Sequence, residues 1–107
     1  MDFTGTYEVV SSPDFDYGYL SMDVRPYVTL RQTGGRVTGE YQVGLQAGGV
    51  YGTVPEGANF FTFSFEGNDE MDEVNGMGEA TLNGDSLTFE LRYHYGDEFS
   101  FDCERRG

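Results

Sequence analysis

Tryptophan and lysine are absent from this 107-residue sequence, and cysteine and histidine occur once each. One cysteine excludes an internal disulfide bond, and no spacing of ligands suits zinc or haem, so no cofactor or metal is predicted. No apolar run approaches the roughly 18 residues that a transmembrane helix needs. The first residues lack the basic and apolar segments of a secretion signal, so a cytoplasmic protein is expected.

Positive charge is scarce as well. Six arginines stand against 19 Asp and Glu residues, which gives a formal net charge of −13. Such a surface repels phosphate, so neither nucleic acid nor a membrane is an expected partner. A solvated acidic surface that keeps the protein soluble is the simpler interpretation, because the acids are spread singly over predicted strands and turns.

Aromatic residues and glycine are abundant by contrast. Nine Phe and eight Tyr contribute 16% of the residues, although the hydrophobic share is only 37%. Large rings bury much apolar area each, so they can close the core of a small protein. The length fits one domain spanning residues 1–107. Sixteen glycines without a three-residue period fit frequent turns and bent strands.

Apolar and polar residues alternate with the period of two that is typical of β-strands. Phe61, Phe63 and Phe65, for example, alternate with polar neighbours. Asn83-Gly84 favours a tight hairpin turn, because both residues readily take a positive φ. The predicted strands are 3–10, 26–32, 36–43, 50–54, 60–66, 74–82, 87–95 and 99–105, with loops at 44–49 and 68–73.

Hairpins in series can form either a sandwich or a barrel. Glycines at positions 5, 39, 52 and 78 lie mid-strand on the predicted inward face, where a tightly coiled barrel lacks room for side chains. The predicted fold is therefore all-β, a single antiparallel up-and-down barrel of about eight strands.

Three segments resemble the calycin-like barrels, the group of the lipocalins and the avidin/streptavidin proteins. Phe3–Tyr7 resembles the Gly-x-Trp signature of the first strand, with Tyr7 in place of Trp, and Leu30–Tyr41 resembles the second avidin-like hairpin. Arg105 is similar in place to the arginine that packs across the first-strand aromatic residue in lipocalins. The resemblance implies a barrel with one open mouth and a ligand cavity there. Without tryptophan, it does not imply biotin binding.

Residues for acid–base or nucleophilic chemistry are few. His94 falls on the polar face of its strand and Cys103 on the inward face, so a catalytic Cys–His pair is disfavoured and no catalytic residue is predicted. The acidic segment 67–76 does not match the EF-hand pattern, which makes a solvated loop a simpler interpretation than a calcium site.

The segment 11–23 is long and apolar for a connection between antiparallel strands. It is either a lid that presents aromatic rings at the mouth, or an extra strand or plug. The inward tyrosines and Arg105 either form a structural network or orient a ligand. The candidate ligand-binding residues are Tyr7, Phe15, Tyr17, Tyr19, Tyr41, Phe63, Tyr93, Tyr95 and Arg105.

Three functions remain open on this sequence, in descending order of support. The first is binding of a small apolar or aromatic metabolite in the barrel mouth. The second is an enzyme, a calycin-like cyclase or isomerase that folds a natural-product precursor by shape. The third is an acidic protein-interaction or inhibitor domain, with exposed rings at Phe60, Tyr27 and Tyr51 as anchors. A homodimer is compatible with each.

Overall fold

The computed structural model describes residues 2–106, which form eight strands and one short helix. These elements are β1 Gly5–Ser11, α1 Tyr17–Leu20, β2 Tyr27–Thr33, β3 Arg36–Val43, β4 Gln46–Thr53, β5 Phe60–Asp69, β6 Asp72–Asn83, β7 Ser86–Tyr93 and β8 Glu98–Arg105.

The strands form a closed barrel in sequence order. Each strand pairs antiparallel with the next, and β8 returns to β1, where Val9 lies opposite Cys103 and Tyr7 opposite Arg105. Closure leaves no unpaired sheet edge. The predicted all-β, up-and-down barrel of eight strands is confirmed.

Two predicted loops are wrong in extent, because β4 begins earlier than predicted and β5 and β6 both extend toward each other. β4 begins at Gln46, so the loop predicted at 44–49 shrinks to Gly44 and Leu45. The acidic loop predicted at 68–73 shrinks to a turn at Glu70 and Met71, with Asp69 paired opposite Asp72. Glycine and acidic residues have low strand propensity, and pairing with neighbours on both sides overrides that preference here.

Large rings contribute much of the interior, as the alternation predicts. Phe61, Phe63 and Phe65 are buried, and Phe63 stacks on Phe89 with ring centroids 5.2 Å apart. A Cβ atom at Gly78 would collide with the Phe63 ring and the Glu90 carbonyl oxygen. The predicted inward glycine is therefore what makes room for a large ring on the neighbouring strand.

The topology places alternate connections at opposite ends of the barrel. One end, here called the mouth, carries the connections β1–β2, β3–β4, β5–β6 and β7–β8. The other, here called the sealed end, carries residues 2–4, the remaining connections and residues 105–106. Between residues 2 and 106, no helix has the length and apolar character to cross a membrane.

Candidate functional site

The β1–β2 connection folds over the mouth and is fixed there by α1. This single helical turn follows Asp16, and Leu20 at its end is fully buried. The Gly44 N–H of the β3–β4 turn donates a 2.8 Å hydrogen bond to the Leu20 carbonyl. Gly44 has a φ of +59°, and a Cβ there would strike the Tyr19 ring. The segment is thus a helical cap and not an extra strand, and Leu20 plugs part of the opening.

Phe15 fills the space between this cap and β8. Its ring lies 5.4 Å from that of Tyr19, 4.8 Å from that of Phe99 and 6.0 Å from that of Phe101, centroid to centroid. Phe15 and Tyr19 are both half-buried. The cap therefore presents aromatic rings toward the barrel interior, as the lid interpretation expects.

A buried glutamine connects two tyrosines beneath the cap. The Gln46 Nε2 donates a 2.7 Å hydrogen bond to the Tyr41 hydroxyl, and the Tyr93 hydroxyl donates a 2.6 Å bond to Gln46 Oε1. Gln46 is only 5% exposed. The sequence reasoning missed this residue because it assigned position 46 to a loop. Position 46 is four residues before the buried Val50, so an extended strand there would place both side chains on the inward face, and this spacing was the available signal.

Burial keeps the phenols of this network protonated. It raises the pKa of Tyr41 to about 12, although the hydrogen bond from Gln46 opposes the rise. Burial also raises the pKa of Tyr93, with a smaller contribution from the nearby Tyr41 phenol. At neutral pH, Tyr41 and Tyr93 are therefore neutral hydrogen-bonding groups and not bases.

A cavity of about 190 Å³ remains between the cap, the network and the rim of the barrel. Six of its lining residues are aromatic and two are carboxylates, Asp69 and Asp97. Its volume is that of roughly six liquid waters. This cavity, here called the mouth pocket, is lined by Phe15, Tyr19, Leu20, Val43, Gln46, Asp69, Tyr93, Tyr95, Asp97, Phe99 and Phe101.

The structure brings four of the nine candidate binding residues to this pocket: Phe15, Tyr19, Tyr93 and Tyr95. Tyr41 reaches it through Gln46. The inward position predicted for Tyr95 is wrong, because β7 ends at Tyr93 and the chain turns through Gly96, whose φ is +107°. Tyr95 is 57% exposed and stands at the rim, stacked on Tyr93 at 5.3 Å.

Tyr7 and Arg105 lie together at the sealed end. The Tyr7 hydroxyl donates a 2.7 Å hydrogen bond to the Phe3 carbonyl and accepts one of 2.9 Å from Arg105. The guanidinium carbon of Arg105 lies 5.2 Å from the centroid of the Tyr7 ring, a cation–π distance. Another bond runs from Arg105 to the Asp2 carbonyl. These contacts match the structural-network interpretation.

The last two candidates contribute to neither the mouth pocket nor the sealed end. Phe63 is buried in the middle of the core against Phe89. Tyr17 is 44% exposed and does not line the mouth pocket. The predicted binding residues therefore include four of the six aromatic residues of the pocket, and they lack Phe99, Phe101, Gln46, Asp69 and Asp97.

Other features of the barrel offer less chemistry. A groove of about 620 Å³ on the outer wall is lined mainly by polar side chains such as Glu66, Glu73 and Asn75. His94 is exposed and Cys103 is buried inside, so the expected separation of these two side chains is confirmed. Within residues 2–106, no three His, Cys, Asp or Glu side chains are grouped as a metal site requires.

Comparison with protein-family models and with curated proteins found no match to this sequence. The class that the coordinates define is a small closed antiparallel barrel of eight strands. One barrel architecture hosts many functions, so the fold by itself does not assign one to this chain.

Proposed function

We propose that this protein binds a small molecule in the mouth pocket. The observation that carries the proposal is the convergence of six aromatic side chains and a buried polar network on an unfilled cavity. Apolar walls with a few fixed polar groups are the usual composition of a ligand site. The rings supply contact area, and the polar groups fix the orientation of the ligand.

The cavity volume limits the size of the ligand. About 190 Å³ is below the roughly 300–1,000 Å³ of pockets that enclose drug-sized molecules. A compound with one ring and a short polar arm fits this space. Tyr95 and Asp97 line the cavity and are exposed, so we place the entry of the ligand at this part of the rim.

A calycin-like relationship is part of the proposal. Arg105 packs across Tyr7 at the sealed end, in the arrangement that the resemblance to lipocalins implies. In such barrels one end is closed and the other admits the ligand. In this chain, the sealed end corresponds to the closed end of such barrels, and the mouth corresponds to the end that admits the ligand.

The cyclase hypothesis has less support from the site. Folding a flexible precursor needs a cavity that encloses it, and this one has the volume of roughly six waters. Its buried phenols also hold their protons well above neutral pH. The interaction-domain hypothesis rests on rings of which Tyr51 is 54% exposed, whereas Tyr27 and Phe60 are half-buried.

A fragment screen by two-dimensional NMR tests the proposal. Neutral, cationic and anionic single-ring compounds are each added to the ¹⁵N-labelled protein. Binding at the mouth shifts the Gln46 side-chain amide and the backbone amides of Tyr19 and Tyr95, and leaves that of Tyr51 in place. Tyr19→Ala weakens these hits, whereas Tyr51→Ala, which removes a ring from the outer wall, does not. Hits that shift only outer-wall resonances, or no hits at all, would overturn the proposal.

A further inference from the structure

We propose that the mouth pocket selects a small organic cation, an ammonium group on a single ring or short apolar body, held by its aromatic walls and by the carboxylates of Asp69 and Asp97. This inference rests on the proposed function and names the chemical class of its ligand.

Asp69 lies on the inward face of the barrel. It continues the alternation of Phe61, Phe63 and Phe65 along β5, and it pairs with Gln46 on β4. Its side chain is half-buried, and it lines the mouth pocket. An acid on the inward face at the end of a strand of buried phenylalanines is poorly placed for solubility alone, because outward positions are fully solvated.

Neither carboxylate of the pocket is neutralised by a neighbouring cation. The arginines that form ion pairs are Arg25, Arg92, Arg105 and Arg106, and their partners are Glu8, Glu90, Glu98 and Asp85. Within residues 2–106, no ion pair involves Asp69 or Asp97, and no arginine lines the pocket. Two uncompensated negative charges thus share the rim of an aromatic cavity.

The field of Asp69 reaches the phenols around the pocket. After burial, which is the larger cause, its charge contributes to the raised pKa of Tyr19 and of Tyr41. It acts in the same direction on Tyr93 and Tyr95, and Asp97 adds to the effect on Tyr95. A potential that opposes the formation of phenolate favours a bound cation for the same reason and disfavours a bound anion.

The aromatic walls suit the same ligand. Phe15 and Tyr19 form one stacked pair at 5.4 Å, and Tyr93 and Tyr95 form another at 5.3 Å. Aromatic faces attract cations through their quadrupole, and sites built from several rings are a common way of recognising alkylammonium groups. The overall charge of −13 also raises the local concentration of cations around the protein.

Three probes of nearly the same shape separate charge from size. Benzylammonium, benzyl alcohol and benzoate are titrated into the protein at pH 7 and low ionic strength, with NMR shifts at Tyr19 and Gln46 as the readout of site. We expect benzylammonium to bind about tenfold more tightly than benzyl alcohol, and benzoate to bind more weakly than either. Raising the salt concentration reduces the preference, since part of it comes from exposed charge.

Matched variants locate the source of the preference. Asp69→Asn and Asp97→Asn each reduce the ratio of benzylammonium to benzyl alcohol affinity about threefold and leave benzyl alcohol affinity unchanged. Glu56→Gln removes the same charge from an exposed position at the sealed end and leaves the ratio as it was. Because Asp97 is exposed, its variant preserves the fold even if Asp69→Asn does not.

The outcomes distinguish the two proposals. Equal affinities for benzylammonium and benzyl alcohol at the mouth would overturn cation selection while supporting the binding site. A preference that survives both Asp variants would also overturn it, because the charge would then act from elsewhere. Shifts at the mouth from none of the three probes would overturn cation selection and the proposed function together.

Discussion

The two ends of the barrel use the same kinds of residue for different purposes. At the sealed end, Tyr7 is enclosed by the Phe3 carbonyl and the guanidinium of Arg105, so its ring and hydroxyl are both occupied within the protein. At the mouth, Tyr41 and Tyr93 share the neutral amide of Gln46, and Gln46 and Tyr93 line the mouth pocket. A cation completes the first arrangement. The arrangement at the mouth lies beside two carboxylates, and within residues 2–106 no arginine lines its pocket.

We propose that this difference separates an end of the barrel that serves stability from an end that serves binding. An arginine supplied by the last strand makes one end a permanent closure, because the barrel itself provides the group that the aromatic ring attracts. At the mouth, our proposal is that a ligand from solution supplies the equivalent partner.

Removing the Tyr7 side chain from the sealed end should cause the largest loss of stability. Tyr7→Ala removes a fully buried ring and should lower the free energy of unfolding by about 3–5 kcal/mol. Tyr19→Ala, at the half-buried mouth, should cost about 1 kcal/mol or less, because less surface is lost and water can enter. Urea unfolding followed by circular dichroism measures both. Equal losses at the two ends would erase the distinction between them.

Removing the glutamine that joins the two mouth tyrosines should cost somewhat less. Gln46→Leu leaves the hydroxyls of Tyr41 and Tyr93 without their partner, and we expect a loss of about 2–3 kcal/mol. The matched control is Gln42→Leu, since Gln42 bonds to Asp23 at an exposed position and should contribute only a few tenths. If both variants unfold at the same urea concentration, the buried network contributes nothing.

Alkaline pH should lower the free energy of unfolding over a defined pH range, through the buried tyrosine Tyr41 at the mouth. The pKa of Tyr41 is about 12 in the folded protein and near 10 when unfolded, so the folded state holds its proton more tightly. Its contribution is fully present below pH 10 and is lost as pH rises from 10 to 12, by about 2–3 kcal/mol.

Unfolding free energies measured between pH 8 and pH 12 check this window. Tyr41→Phe should flatten the fall over that range. Tyr7→Phe should flatten it less, because Arg105 offsets part of the rise that burial causes in the pKa of Tyr7. If Tyr7→Phe flattened the fall in unfolding free energy more than Tyr41→Phe did, the expected difference between the two ends would be wrong.

The smallest effect concerns two neighbouring tyrosines of the cap. Tyr17 is exposed and does not line the mouth pocket, so Tyr17→Ala should change stability by less than about 0.5 kcal/mol and leave the affinity for benzylammonium unchanged. Tyr19→Ala should weaken that affinity several-fold. Titration of both variants decides which ring serves the site. An equal loss from Tyr17→Ala would move the site to the outside of the cap.

Local patterns in the sequence were sufficient to predict the barrel. The alternation along β5 and β7, together with the Asn83-Gly84 turn, predicts long antiparallel hairpins with rings inside, and the structure has them. The apolar character of residues 11–23 predicts either a lid over the mouth or an extra strand or plug, and the structure has a helical cap there. Both predictions depend only on neighbours along the chain.

The polar half of the pocket depends on pairing between strands. Gln46 and Asp69 lie in a glycine-rich and an acidic stretch that were predicted as loops, and only the extended β4–β5 ladder turns both inward. The alternation of apolar and polar residues predicts which side chains face inward, but it does not predict their position along the barrel axis. Tyr7 and Tyr41 both face the interior, yet the closure of β8 on β1 brings Arg105 to Tyr7 alone.

A crystal structure of the protein grown with benzylammonium tests the division between the two ends most directly. We expect density for one molecule among Phe15, Tyr19 and Tyr95, with its ammonium toward Asp69 or Asp97, and an unchanged arrangement of Phe3, Tyr7 and Arg105. Density on the outer wall or at the sealed end, with the mouth pocket empty, would contradict this expectation.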